Sequence, residues 1–258
     1  MSKFYPIASG SSGNCTYIGH GKSGLLIDAG ISAKAICEGL CKAAIDPRSL
    51  LGIFITHEHI DHIQGLKVFS SKYNIPIFAS KKTKEAILKF IPELEITSFD
   101  ESLELGDFKI TRFSTSHDCE GSSGYIITLP DGRRCAVCTD LGFVSDEVHL
   151  ALSGSDAVLL ESNYDLFMLE NGPYPPPLKK RILSDKGHLS NNNCAAEIAK
   201  LIKSGTTRVI LGHLSRENNR PEVAKNCVVA RLVDDKLIEN EDYILYVAPP
   251  KNGNVIIF

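Results

Sequence analysis

The chain has 258 residues, 43% hydrophobic and 23% charged, an apolar content that excludes a disordered chain and supplies a sizeable core. No run of about 18 uncharged apolar residues occurs, so a membrane-spanning helix is excluded, and the net charge of -3 argues against coating nucleic acid through bulk charge while leaving room for a local cationic site. Eight cysteines are too dilute for a disulfide scaffold, and Met1 to Asn14 show no basic end before an apolar run; no signal peptide is expected, and a reducing cytosol is the expected compartment.

Short apolar runs ending in polar turns predict buried strands. Ser9 to Asn14 is a Gly/Ser loop between two such strands. Gly24–Ile27 runs into Asp28, and Leu50–Ile55 into Thr56-His57. Between them Cys37 and Cys41, four apart, are expected to pack on one helix. Thr83 to Phe90 has helical spacing. Phe108–Phe113 leads to His117, Arg134–Cys138 to Thr139-Asp140, and Ala157–Leu160 to Glu161-Ser162-Asn163. Cys135 and Cys138 lie within an apolar run and read as structural thiols. Asn171 to Lys186, with Pro173, Pro175, Pro176 and Pro177, reads as an ordered or semi-ordered excursion rather than a domain boundary. A helix follows at Asn192–Ser204, capped by Ser190 or Asn191. Arg208–Leu211 then runs into Gly212-His213, and Pro221 opens another helix. Tyr243 to Phe258 reads as a hairpin about Lys251-Asn252-Gly253-Asn254. Nothing splits the chain, so one domain is expected over residues 1–258. Gly-His-Leu-Ser occurs twice, at 187–190 and 212–215.

The strongest chemical signal is Thr56-His57-Glu58-His59-Ile60-Asp61-His62. Imidazoles and carboxylates are the usual ligands of zinc, iron or manganese. A loop after a buried strand can aim them at different points, whereas a helix would spread them around its axis. The helical His-Glu-x-x-His of zinc proteases is excluded, because Asp61 stands four after His57. A polar surface loop rarely gathers three histidines in six residues. His117, Asp140, His213 and Asp28 also sit just past strands, where α/β folds place their chemistry. His20 and His149 have no partners in sequence and read as surface residues.

His57-x-His59-x-Asp61-His62, followed by His117, Asp140 and His213, resembles the signature of the metallo-β-lactamase superfamily. The resemblance covers nearly the whole chain and implies an α/β fold, a four-layer αββα sandwich. It implies that His57, His59 and His117 hold one divalent metal, that Asp61, His62 and His213 hold a second, and that Asp140 bridges. Asp28 would brace the ligand loop without binding metal. Two dications, Asp61, Asp140 and a bridging hydroxide sum to about +1, a charge suited to a phosphate. Zinc or manganese is expected, with iron also compatible.

Gly187-His188-Leu189-Ser190, a helix, a strand and Gly212-His213 resemble the end of the β-CASP nucleases. Their inserted domain has no room between Asp140 and His213. Together with Ser9–Asn14 and Glu161–Asp165, the pattern is similar to the compact YycJ/WalJ-type subfamily. That resemblance implies a DNA exonuclease acting from 5′ ends of duplex DNA, with DNA-repair proteins as partners. Asp61 and His188 are then the catalytic candidates beyond metal binding; a protonated His188 suits a leaving oxygen or a phosphate contact. Ser12, Asn14, Asn163, Tyr164, Ser190 and Asn191 are candidate substrate contacts, with Tyr164 considered for base stacking. Lys179-Lys180-Arg181 with Lys186 are candidates for the DNA backbone. The same ligands would also suit hydrolysis of a small ester (a thioester, a lactone or a cyclic phosphodiester). The same residues would also be compatible with a nucleic-acid-binding protein with a vestigial site, or with a redox role.

Overall fold

The computed structural model describes residues 1–258. Its first half contains β1 (Ser2–Ala8), β2 (Cys15–His20), β3 (Ser23–Ile27), α1 (Ala33–Lys42), β4 (Leu50–Ile55), α2 (Ile60–Ile63), α3 (Leu66–Tyr73), β5 (Ile77–Ala79), α4 (Lys81–Phe90) and β6 (Ile96–Ser98). The next part contains β7 (Ser102–Leu105), β8 (Phe108–Ser114), β9 (Ser123–Thr128), β10 (Arg134–Cys138), α5 (Asp146–Leu152) and β11 (Ala157–Glu161). The last contains α6 (Leu166–Asn171), α7 (Pro176–Ile182), α8 (Asn191–Lys203), β12 (Arg208–Gly212), α9 (Pro221–Asp234), β13 (Ile244–Val247) and β14 (Ile256–Ile257).

The strands form two seven-stranded sheets, ordered β14-β1-β2-β3-β4-β5-β6 and β13-β12-β11-β10-β9-β8-β7. In each, antiparallel pairing on one side gives way to parallel pairing on the other. Parallel neighbours need crossovers, and the helices supply them. Side-chain alternation builds the layers. On β3, Leu25 and Ile27 enter the core between the sheets, while Leu26 faces the core shared with α1 and α3. On β11, Leu159 points between the sheets, and Val158 and Leu160 join the core under α5, α8 and α9. Three apolar layers separated by two sheets make the αββα sandwich. No helix is long and apolar enough to cross a membrane.

The structure refines several sequence expectations. Helix α4 starts two residues early, at Lys81, because Ser80 Oγ accepts from Thr83 N and caps it. Ser190 caps α8 in the same way. The residue 171–186 excursion is ordered and contains α7. Cys135 and Cys138 fall on opposite faces of β10, so the pair cannot act as one chelate. Cys37 packs against the core, but Cys41 is exposed. The tail is not a hairpin. Strand β13 adds to β12 in one sheet and β14 adds to β1 in the other. Each sheet had a free edge there, and edge pairing satisfies both.

Candidate metal centre

The parallel strands β3, β4, β10, β11 and β12 deliver chemistry-bearing residues to one edge of the sandwich. Three of these residues are held in the left-handed region: Asp28 at φ 61°, Asp140 at φ 60° and His213 at φ 53°. Side chains other than glycine pay for that conformation, and such strain concentrates at functional sites. His57 follows β4, while Asp61 and His62 occupy the first helical turn of α2.

The ligand atoms of His57, His59 and His117 lie within 4.8 Å of one another, as do those of Asp61, His62 and His213. Asp140 stands between the two groups. One carboxylate oxygen is 3.3 Å from His62 Nε2 and the other 3.8 Å from His117 Nε2. Glu58 belongs to none of these groups.

Four of the five histidines have one ring nitrogen anchored, which leaves the other to face the site. His57 Nδ1 lies 3.0 Å from Thr56 Oγ1, and His117 Nδ1 donates to Gly187 O at 3.1 Å. His62 Nδ1 meets Asp28 Oδ2 at 2.7 Å. His213 Nδ1 meets Glu161 Oε1 at 2.8 Å. Such partners fix the tautomer and ring orientation of metal-binding histidines. Asp28 is itself fixed, since Oδ1 accepts from Thr56 N at 2.8 Å.

A metal fits this donor set on structural grounds. His213 Nε2 and Asp140 Oδ2 are buried with no hydrogen-bond partner. His57 Nε2 and His59 Nδ1 face each other at 2.9 Å. Buried polar atoms left without partners are costly, and a shared cation would satisfy them.

Charge is strongly coupled here. Burial disfavours charge on His57, and neighbouring imidazoles add to it, so its pKa falls well below the usual histidine value. Burial likewise lowers His117. Burial opposes the charged form of His62 too, but Asp28 and Asp140 outweigh it and push the pKa up to about 10. For Asp140, burial is outweighed by His213 and His62, which hold the carboxyl well below its usual range. Before a metal can take His62 Nε2, a proton must leave. Metal affinity is therefore expected to fall as pH drops below about 10, by about tenfold per unit for each proton displaced. Metal titration between pH 6 and 9, with proton release read in buffers of different ionisation enthalpy, checks this; a pH-independent affinity contradicts it.

Glu161 is a site residue that the strand-end reading missed. It is the last residue of β11 and fully buried. Its Oε1 lies 2.8 Å from both His188 Nδ1 and His213 Nδ1, and Oε2 accepts from Leu141 N and Leu189 N. The repeated Gly-His-Leu-Ser now has a structural meaning. The two loops flank Asn163, whose N donates to Leu189 O at 2.9 Å and whose O accepts from Ser215 N at 2.8 Å. Each loop turns its histidine onto the same carboxylate oxygen. Burial opposes charge on His188, yet Glu161 and Asp140 raise its pKa. Glu161→Gln is expected to cost about 10–100-fold in metal affinity or turnover. Metal titration and turnover of the variant test this, and wild-type values for both contradict it.

A cavity of about 220 Å³ opens on the cluster, lined by His59, Asp61, His117, Asp140, His188 and His213. Ser11 and Asn163 also line it. Ser12 does not; it lines a neighbouring cavity of about 440 Å³ with Ser32 and Gln64. Asn14 is buried, with Oδ1 accepting from Gly10 N at 2.9 Å and Nδ2 lying 3.0 Å from His62 Nε2. Asn163 Nδ2 donates to His213 O at 2.8 Å. Tyr164, Ser190 and Asn191 lie behind the cavity rather than in it. Tyr164 is 6% exposed among Leu169 and Ile182, so it has no free face for a base. Asn191 is locked between Ser162 and Asn219. His149 and His20 lie elsewhere, paired with Glu197 and Asp131.

Known proteins share both sequence and shape with this chain. Residues 8–213 match the family described as the Metallo-beta-lactamase superfamily. "Exodeoxyribonuclease YycJ" of Bacillus anthracis is 36% identical over 253 residues, 96% of each chain. "Exodeoxyribonuclease WalJ" of Streptococcus pneumoniae is 36% identical over 255 residues, covering 96% of this chain and 94% of its own. Among solved structures, the metallo-beta-lactamase fold protein YhfI from Bacillus subtilis superposes with a TM-score of 0.71 at 17% identity, over 100% of both chains. A diphosphatase of the PhnP family gives 0.69 at 17% identity, over 100% of this chain and 98% of that one. The chain belongs to the metallo-β-lactamase superfamily, in the branch that holds YycJ and WalJ.

Proposed function

We propose that this chain is a binuclear metal-dependent phosphodiesterase, an exonuclease that acts from the 5′ ends of duplex DNA. One observation carries the reading: two three-residue ligand groups face a common carboxylate, Asp140, and His188 stands beside them. The 36% identity to two exodeoxyribonucleases supports DNA as the phosphodiester. His57, His59 and His117 would hold one ion and Asp61, His62 and His213 the other, zinc or manganese by ligand type, with iron compatible. Two bound dications would lower the pKa of a bound water toward about 7 and polarise the phosphoryl oxygen.

The chain's own residues do the rest. Asp61 is partly exposed to the cavity, and its carboxylate can orient the attacking water. Glu161 anchors His188 Nδ1, so Nε2 is the atom that carries a proton toward the leaving oxygen or donates to a phosphate oxygen. Asp28 keeps His62 in place without entering the cavity. The cavity of about 220 Å³ is below the usual range of roughly 300–1,000 Å³ for ligand pockets. It suits a phosphate and its sugar at a strand end better than a length of duplex. The same reading treats residues 1–258 as one hydrolase domain working in the cytosol beside DNA-repair proteins.

Linear duplex labelled at either the 5′ or the 3′ end, digested with Mn²⁺ or Zn²⁺ present, tests the proposal. Release of label from 5′ ends first is expected. The small cavity also favours a second reading, hydrolysis of a small phosphodiester or thioester. Turnover of such esters by fully metal-loaded protein that leaves DNA intact would replace the first reading with the second.

A further inference from the structure

The outer wall of the cavity comes from the excursion that lies outside both sheets. Tyr174, Leu178, Arg181 and Ile182 line it from that side. Leu178, Ile182 and Tyr174 pack with Tyr164 and Leu169 in a small apolar cluster of their own. Arg181 is the one Lys or Arg that lines the cavity. The rest of the basic run turns elsewhere: Lys179 Nζ donates to Glu170 O at 2.7 Å, and Lys180 and Lys186 are exposed away from the lining.

Arg181 already holds an anion. Its Nε and one terminal nitrogen both reach Asp118 Oδ2. The other Asp118 oxygen lies 3.2 Å from His117 Nε2 and 3.7 Å from His59 Nε2. A single carboxylate therefore spans from the outer wall to the imidazoles of the candidate metal centre. The planar guanidinium fork matches a phosphate as well as it matches a carboxylate. The pair is also easy to exchange, because Arg181 is 52% exposed and Asp118 27%; water screens such pairs and leaves them weak. Breaking it leaves the wall standing, since the apolar cluster holds α7 independently.

We propose that Arg181 is a phosphate-binding residue of the cavity, and that Asp118 is an internal stand-in for the phosphate, displaced from Arg181 when a strand end enters. This rests on the phosphodiesterase reading and names the residue that recognises its substrate. An arriving phosphate repels the Asp118 carboxylate and takes over the freed guanidinium, so recognition and opening are one exchange of partners.

Binding of short duplexes in chelator at low salt, read by fluorescence anisotropy, tests the latch without turnover. The variants are Asp118→Asn, Arg181→Gln and the double variant, with duplexes bearing 5′-phosphate or 5′-hydroxyl ends. Asp118→Asn is expected to bind about 3–10-fold tighter and Arg181→Gln about 10-fold weaker. Asp118→Asn should gain clearly less once Arg181 is gone, because only the direct repulsion between Asp118 and the phosphate is then relieved. A gain confined to 5′-phosphate ends would make the ligand the terminal monoester, and an equal gain on both duplexes an internal diester. Unchanged binding in Asp118→Asn, or an equal gain in the Arg181→Gln background, overturns the latch. So does loss of a metal from Asp118→Asn, since Asp118 would then serve the metal centre. With metals loaded, Arg181→Gln should raise KM about tenfold with kcat within about threefold; a fall in kcat alone overturns it. Failure of the wild type to cut DNA at all would sink the phosphodiesterase reading, while the binding cycle still reads the latch by itself.

Discussion

Asp140→Ala is expected to lose metal and turnover together. Asp140 is buried and faces both ligand groups, with oxygens 3.3 Å from His62 Nε2 and 3.8 Å from His117 Nε2. Its removal leaves imidazoles on either side without a common anion. His62, whose raised pKa depends on Asp28 and Asp140, would keep only one of those carboxylates. The metals are asked to supply several kcal/mol of transition-state stabilisation, so turnover should fall at least about 10³-fold. Alanine is also unfavourable at φ 60°, so Asp140→Asn, which tolerates that region better, is the companion variant. Metal content per chain and DNA turnover are the readouts. Wild-type values of both in a folded Asp140 variant would contradict the bridging role.

His188→Ala has the second largest expected effect and the opposite metal signature. His188 Nδ1 lies 2.8 Å from Glu161 and 3.7 Å from Asp140, its ring sits 5.2 Å from that of His117 and 5.4 Å from that of His213, and its side chain is 19% exposed. Removing it should leave two metals bound while turnover falls about 10²–10⁴-fold, the usual contribution of a positioned general acid. If a metal leaves with His188, the histidine is a ligand and the role of His213 must be reassigned. The two variants separate loss of the metal centre from loss of the proton.

Much of this site was legible because its residues obey one rule. They follow buried strands, and strands announce themselves as short apolar runs before a polar turn. Asp28, His57, Asp140 and His213 all stand there. Glu161 escaped because it is the last residue within its strand, where a carboxylate at the end of Ala-Val-Leu-Leu looked like the start of the loop. Only the fold shows that its side chain ends between two histidines 52 and 27 positions away. Tyr164 and Tyr174 show the limit in another way. Tyr164 sits beside Asn163 in sequence, yet Leu169 and Ile182 pack over it and bury it, while Tyr174, ten residues on, reaches the cavity. Adjacency along the chain carries no direction once a backbone turns. The tail strands were seen, but their division between two sheets depends on which edges lie free, a property of the assembled sandwich.

Anomalous scattering from crystals grown with Mn²⁺ or Zn²⁺ tests the central claim most directly. The account predicts two peaks: one among His57 Nε2, His59 Nδ1 and His117 Nε2, the other among Asp61, His62 Nε2 and His213 Nε2, with Asp140 touching both. A single peak, or a peak held by His188 in place of His213, would contradict it.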